Sequence, residues 1–249
     1  MKITAIIPAR GGSKGLHKKN IALLGGFPLI AYSIVAAKLS SGVDRTIVST
    51  DSEEIREIAL RFGAEVPFLR PSEFAQDDSP DSCVFRHAAD WFKKNEGEVP
   101  DWMTQLRPTT PLREPGEIDR AIDRLKGCPK AEGLRSAHEL VEPPHKMFQM
   151  TSEGYFEGFF PDDPRPDYWN LPRQMLPKAY SPNGYIDIIK TNQFLATGRL
   201  YGAKILGYIT PRTVEVDTPE DLERLSDEVS RKGHFLLDYL KKQFGGPSR

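Results

Sequence analysis

The chain has 249 residues, enough to bury the core of one large α/β domain without disulfide or metal staples. Its 34 Lys and Arg against 35 Asp and Glu leave a net charge of −1, which weighs against a protein that holds nucleic acid by bulk charge. No apolar run reaches the roughly 20 residues that span a bilayer, Ile3 to Ala9 is too short for a signal peptide, and Cys83 and Cys128 show no CxxC spacing. A cytoplasmic protein with two reduced, mostly buried thiols is expected, with neither a membrane span nor a zinc site. The charge is unevenly spread: residues 1 to 43 hold six basic residues and no acid, so this stretch is +6 and the rest of the chain −7. Such asymmetry points to a tail or an anion site.

Apolar β-branched runs alternate with segments of helical period, the pattern of an α/β fold with a mostly parallel sheet. Ile3 to Ile7 reads as a buried strand, followed by a Gly/Lys loop and a helix from about Pro28 to Leu39. Arg45 to Thr50 is a second strand, and Asp51-Ser-Glu-Glu opens a helix to about Phe62. Asp81 to Lys94 is helical, Trp102 to Leu106 a strand, and Pro115 to Lys126 a helix with proline in its first turn. Gly133 to Ala137 is a further strand. Between Glu142 and Pro182 stand eight prolines and many aromatics, a composition that predicts an ordered loop-and-hairpin excursion serving function or an interface. Strands are expected again at Tyr185 to Ile189, Lys204 to Ile209 and Val214 to Val216, then helices from Pro219 and from His234 to Phe244, with residues 245–249 frayed.

Pro8-Ala-Arg-Gly-Gly-Ser-Lys-Gly-Leu-His-Lys-Lys-Asn20 follows the first strand directly. At the carboxyl end of a strand in an open α/β sheet, such a turn lets backbone N–H groups approach phosphates while Arg and Lys neutralise them. It matches neither the P-loop nor GxGxxG. Glu215-Val-Asp217 places two carboxylates on alternate residues of a predicted strand, able to converge on a divalent cation. The same stretch also reads as a helix N-terminus, with Thr218, Pro219 and Asp221 as cap residues, and spacing alone leaves both readings open.

These residues carry a family resemblance. Ile6-Ile-Pro-Ala-Arg-Gly-Gly-Ser-Lys-Gly-Leu-x-x-Lys-Asn20 resembles the signature loop of the acylneuraminate (CMP-sialic acid) cytidylyltransferases, relatives of the CMP-Kdo synthetases. Arg70-Pro71 with Asp77-Asp78-Ser79, Leu106-Arg-Pro-Thr-Thr-Pro-Leu-Arg113, Arg173-Gln-x-x-Pro177, Asn183-Gly184 and Val216-Asp-Thr-Pro-Glu-Asp-Leu222 follow in the family's order and span nearly the whole chain. The resemblance implies a three-layer Rossmann-like nucleotidyltransferase fold over residues 1 to 249, with the Pro-rich excursion, residues 139 to 182, as a dimerisation element. It implies CTP and an acidic 2-keto-3-deoxy sugar as substrates, a CMP-sugar and diphosphate as products, and Mg²⁺ or Mn²⁺ on Asp217 and Glu215.

Residue by residue, the resemblance assigns Ala9, Arg10, Gly11, Ser13, Lys14, Lys19, Asn20, Arg70, Ser79 and Ser82 to the nucleotide, with Arg10, Lys19 and Asp217 central to catalysis. The sugar side receives Arg107, Thr109, Lys146, Arg173, Gln174, Asn183, Tyr185 and Asp187, with Lys146 reaching a neighbouring subunit's cleft. Three positions depart from the family's usual pattern: Arg107 stands for Gln, Tyr185-Ile-Asp187 for Ala-Ile-Tyr, and Glu215 for Asp. The first two lie on the sugar side, so the expected acceptor is a sialic-acid-like nonulosonate, with Kdo, a phosphonate or a catalytically silent homologue as alternatives. A homodimer without nucleic-acid or membrane partners is expected.

Overall fold

The computed structural model describes residues 1–245, so of the frayed end expected at 245–249 all but Gly245 lies outside the described residues. The first apolar run forms β1 (Ile3–Pro8), buried over Ile3–Ile7 as a strand covered on both faces must be. Beyond the Gly-rich segment, a hairpin of β2 (Leu23–Leu24) and β3 (Phe27–Pro28) turns at Gly25 and Gly26, whose φ values of 57° and 90° need glycine. Next, α1 (Leu29–Leu39) is buried at every position from Leu29 to Ala37, as befits a helix apolar all round. After β4 (Arg45–Ser49), α2 (Glu53–Arg61) starts at Ser52, whose hydroxyl accepts from the Ile55 N–H at 3.4 Å. That start falls later than Asp51: Ser52 is the capping residue, and the Asp51 carboxylate accepts instead from Gly11 N–H in the Gly-rich turn.

The chain continues through α3 (Asp81–Asn95), β5 (Trp102–Gln105), α4 (Pro115–Lys126) and β6 (Gly133–Glu139). The Pro-rich excursion holds the hairpin of β7 (Phe148–Met150) and β8 (Phe156–Gly158). It returns in β9 (Tyr180–Lys190), longer than expected, followed by α5 (Thr191–Thr197), β10 (Ile205–Ile209), α6 (Pro219–Lys232) and α7 (Phe235–Phe244). Six strands form one sheet in the order β10-β6-β9-β5-β1-β4, with β1 parallel to β4 and β5, β10 parallel to β6, and β9 antiparallel to both neighbours. Helices α1, α2, α4, α6 and α7 contribute to the larger apolar cluster on one face, and α3 and α5 to a smaller one on the other. The result is a three-layer α/β architecture. No helix among the described residues is long and apolar enough to cross a membrane. Cys83 and Cys128 are free and half-buried, more exposed than expected.

The strand expected at Val214 to Val216 does not form. This segment runs beside the loop after β5 and is held by one backbone bond, from Val216 N–H to the Thr109 carbonyl at 2.8 Å. Pro108 and Pro111 flank that contact and have no N–H to extend a ladder. The expected alternation survives nonetheless: Val216 is buried while Glu215 and Asp217 face solvent.

Arg113 is fully buried beneath this corner. Its guanidinium donates to the Tyr185 carbonyl, to Ser33 Oγ at 3.1 Å, and to the Arg107 and Gly184 carbonyls at 3.3 and 3.2 Å. Replacing it by Met takes this donor from the Gly184 and Tyr185 carbonyls and from Ser33, so Arg113→Met is expected to cost about 3 kcal/mol. Urea unfolding monitored by circular dichroism checks this; a loss under about 1 kcal/mol refutes the role given to Arg113.

Candidate functional site

The Gly-rich turn leaves the carboxyl end of β1, the strand between β5 and the edge strand β4. Ala9 N–H donates to the Ser49 carbonyl at 3.0 Å and Gly11 N–H to Asp51 Oδ1 at 2.8 Å, which ties the turn to the end of β4. Asn20, buried, donates its side-chain amide to the Arg10 carbonyl at 2.9 Å and closes the turn from the other side. A Cβ on Gly15 would lie 2.4 Å from the Asp217 carbonyl oxygen, so only glycine lets the turn pass so close to the segment before α6. Lys19 Nζ meets Asp217 Oδ1 at 2.6 Å, joining residues 198 apart in sequence. Asp217 is oriented by its backbone N–H, which donates to Asp221 Oδ2 at 3.1 Å, and Thr218 and Asp221 form a capping box on α6. The cap reading of this stretch is therefore realised, and the Asp217 carboxylate is engaged by Lys19.

A cleft of about 310 Å³ opens beside the turn. It brings together Arg10, Lys19, Asn20, Arg70, Ser79, Arg107 and Thr109 from the sequence-based set. Arg10 and Lys14 each pair with Asp77 at 2.8 Å, and Arg107 pairs with Asp81 at 2.7 Å. The hydrogen bond from Lys14 holds the Asp77 carboxyl below the ordinary aspartate range. Arg70 is 5 % exposed with its Nε unpartnered, and burial lowers its pKa. Thr109 Oγ1, on the cleft lining, donates to Glu215 Oε1 at 3.1 Å, although neither Glu215 nor Asp217 is itself on that lining. Phe74 and Val84 supply apolar wall, and Gln105 is a buried polar group on its lining.

Other expected residues lie elsewhere. Ser82 sits in the first turn of α3, outside the cleft lining. Arg173 and Gln174 line a separate cleft of about 360 Å³ at the base of the excursion, where Arg173 Nη1 donates to the Val141 carbonyl at 3.0 Å. Lys146 donates to the Trp169 carbonyl at 3.3 Å within the excursion. Tyr185 is a core residue whose hydroxyl accepts from Glu114 N–H at 2.7 Å, and Asn183 donates to Thr210 Oγ1 at 2.6 Å. Ser13 and Gly11 lie in the turn, both partly exposed. Of the remaining N-terminal cations, Lys2 pairs with Glu98 at 2.5 Å and Lys38 donates to the Gly63 carbonyl at 2.9 Å, away from the cleft. Sequence reasoning missed Gly15, Asp51, Asp81 and Gln105 as parts of this corner, and gave Asp77 no partner. Only three-dimensional pairing distinguishes those acids from surface charge.

Among the described residues no group of three or more His, Cys, Asp and Glu side chains is arranged to hold a metal ion. Glu215 and Asp217, both exposed, are hard oxygen donors of the kind that suits Mg²⁺ or Mn²⁺.

An open, mostly parallel sheet covered by helices on both faces, with a cationic Gly-rich turn at the carboxyl end of β1, is a Rossmann-like α/β fold. The cytidylyltransferase family profile matches residues 4–152, and the chain belongs to that family. It is 32 % identical over 239 residues to N-acylneuraminate cytidylyltransferase of Escherichia coli O18:K1:H7, covering 95 % of this chain and 54 % of that one. It is 45 % identical over 125 residues to CMP-N,N'-diacetyllegionaminic acid synthase of Legionella pneumophila, covering 49 % and 53 %. With pseudaminic acid cytidylyltransferase of Campylobacter jejuni the identity is 30 % over 226 residues, 90 % of this chain and 94 % of that one. The matches thus span about half the length of the first two relatives and nearly all of the third. In fold, the chain is similar to CMP:2-keto-3-deoxy-manno-octonic acid synthetase complexed with CTP, at TM-score 0.69 and 17 % identity over 93 % of this chain and 100 % of that one. A cytidylyltransferase of Leptospira borgpetersenii superposes at TM-score 0.59 with 18 % identity, over 100 % and 98 %.

Behind the cleft, Asp187 is 1 % exposed, and burial raises its carboxyl above the ordinary aspartate range despite Arg135 and Arg107. A carboxyl raised on folding opposes the native state as pH climbs from the ordinary value, about 3.9, through the raised one. The stability of Asp187→Asn relative to the parent is therefore expected to improve between pH 3.5 and pH 7. Urea midpoints across that range check it; a relative stability that falls with pH contradicts it.

Proposed function

We propose that the protein joins CTP to an acidic 2-keto-3-deoxy sugar of the nonulosonate class, giving a CMP-sugar and diphosphate. The observation that carries this reading is the pairing at 2.6 Å of Asp217 with Lys19, which lines the cleft together with Arg10, so an acid from the far end of the sequence meets the cations of the Gly-rich turn at the edge of one site. The names of the relatives from Escherichia coli, Legionella and Campylobacter support the sugar class.

In this reading the sugar's anomeric hydroxyl attacks the α-phosphorus in line, the new P–O bond forms as the bond to the β-phosphate oxygen breaks, and the hydroxyl proton passes to solvent. Phosphoryl transfer of this kind needs positioning and charge neutralisation more than covalent work by the protein. Arg10, Lys14 and Lys19, with Ser13 and the backbone N–H groups of the turn, hold the triphosphate, whose charge displaces Asp77 from Arg10 and Lys14. Because those pairs are partly exposed, exchanging one anion for another costs little. Asn20, Arg70 and Ser79 address the nucleoside. Asp217 and Glu215 would hold Mg²⁺ or Mn²⁺, which when bound supplies charge neutralisation at the phosphate oxygens.

Release of diphosphate from CTP, with N-acetylneuraminic, N,N'-diacetyllegionaminic or pseudaminic acid or Kdo as acceptor, is the test. Release with at least one nine-carbon acid is expected; release with none of them sinks the nonulosonate reading. Asp217→Ala is expected to lower kcat by at least about 100-fold, because a charge-stabilising group at the phosphates is lost. Full activity in that variant removes Asp217 from the chemistry.

The excursion is proposed as a dimer contact. Phe148, Met150, Tyr155, Phe156 and Phe159 are each at least 40 % exposed on or beside its hairpin, a cluster of apolar surface that supports burial against a second copy. Sedimentation velocity is expected to give a dimer, and Phe156→Glu a monomer. A monomeric, fully active parent protein refutes this.

A further inference from the structure

Behind the cleft, three polar side chains stand side by side across the sheet. Gln105 on β5 pairs in register with Asp187 on β9, and Asp187 pairs in register with Arg135 on β6. The Tyr201 hydroxyl reaches both Gln105 Oε1 at 3.3 Å and Asp187 Oδ2 at 3.1 Å. Arg135 Nη2 lies 3.4 Å from Asp187 Oδ2, and its guanidinium stacks over the Tyr201 ring at 4.4 Å. Gln105 is thus held from its carbonyl end. Its amide nitrogen has no partner although the residue is 1 % exposed, and the residue lines the 310 Å³ cleft. An unsatisfied buried donor is costly, and a ligand oxygen in the cleft supplies what the protein does not.

The surroundings define that oxygen. The donor itself is a neutral amide, and the cations on either side, Arg107 and Arg135, have carboxylate partners of their own in Asp81 and Asp187, so the acceptor that Gln105 calls for is an ordinary hydrogen-bonding oxygen. The sheet order sets its place in the ligand. The Gly-rich turn follows β1, Arg70 lies beside β4, and Gln105 is on β5 towards β9. With phosphates at β1 and the nucleoside towards Arg70, the acceptor falls on the Gln105 side. We infer that Gln105 is a specificity-determining residue that hydrogen-bonds an uncharged oxygen of a sugar substituent, an acylamido carbonyl or a hydroxyl, while Tyr201, Asp187 and Arg135 act as positioning residues. This inference rests on the cytidylyl-transfer reading above.

Steady-state kinetics of Gln105→Leu and Tyr201→Phe with CTP and the four acids test it. Gln105→Leu is expected to raise the KM of the preferred acid about tenfold, and Tyr201→Phe about threefold, each leaving the CTP KM within about twofold of the parent, as loss of one hydrogen bond on the acceptor side requires. An unchanged acid KM in both variants, or a CTP KM that rises in step, overturns the inference. Should Gln105→Leu fail to fold, Tyr201→Phe decides by the same criterion. If the parent protein releases diphosphate with none of the four acids, the function proposed above falls, an outcome distinct from turnover with unaltered acid KM.

Discussion

The buried guanidinium of Arg113 is the constraint around which the cleft is arranged. A charge taken out of water must be met by acceptors, and this one finds no carboxylate in hydrogen-bond contact. It is met instead by the carbonyls of Arg107, Gly184 and Tyr185 and by Ser33 Oγ, which in turn donates to the Arg107 carbonyl at 3.0 Å. Burial lowers its pKa to about 10, so it stays charged at neutral pH. The loop after β5, the kinked start of β9 and the α1 helix must therefore keep one mutual geometry for the charge to remain satisfied. Gly184, at φ 62° and with Arg107 Cδ 3.1 Å from where a Cβ would stand, is the backbone adjustment that lets β9 offer its carbonyls.

On that frame the cleft is charged and yet internally neutralised. Arg10 and Lys14 share Asp77, Lys19 holds Asp217, and Arg107 holds Asp81, each pair joining segments that are separate in sequence. Such partly exposed pairs contribute little to stability. Through them the cleft avoids the repulsion of four clustered cations, and in the proposed reaction a polyanion takes over the places of carboxylates such as Asp77. Behind these pairs, Gln105 and Asp187, both buried, and Arg135 and Tyr201, both half-buried, are joined in one polar row.

Much of the scaffold was legible in the sequence. Helix α4 falls on its expected bounds because Pro115 fits the first turn and the apolar positions keep a helical period. By contrast α5, at seven residues, is too short for periodicity to register, and β9 runs through Pro182 and Gly184, residues that read locally as loop. Its register with β6 shifts between Arg135 and Ala137, an irregularity that only pairing with a neighbour can reveal. The β2–β3 hairpin did have a signal in Gly25-Gly26, overshadowed by the longer Gly-rich run before it.

At the site, the turn Pro8 to Asn20 stood out by residue type and local spacing, whereas spacing alone left Glu215 and Asp217 open between a helix cap and a cation site. What the sequence determined by itself is the α/β class, the cationic turn after the first strand and the membership that its motifs imply. Tertiary structure alone decided which acid meets which base, that Tyr185 belongs to the core while Arg173 lines a separate cleft, and that Gln105 stands buried with a free donor. The physical reason is that propensity and periodicity act over a few residues, whereas ion pairs and buried polar rows depend on strands brought together from across the chain.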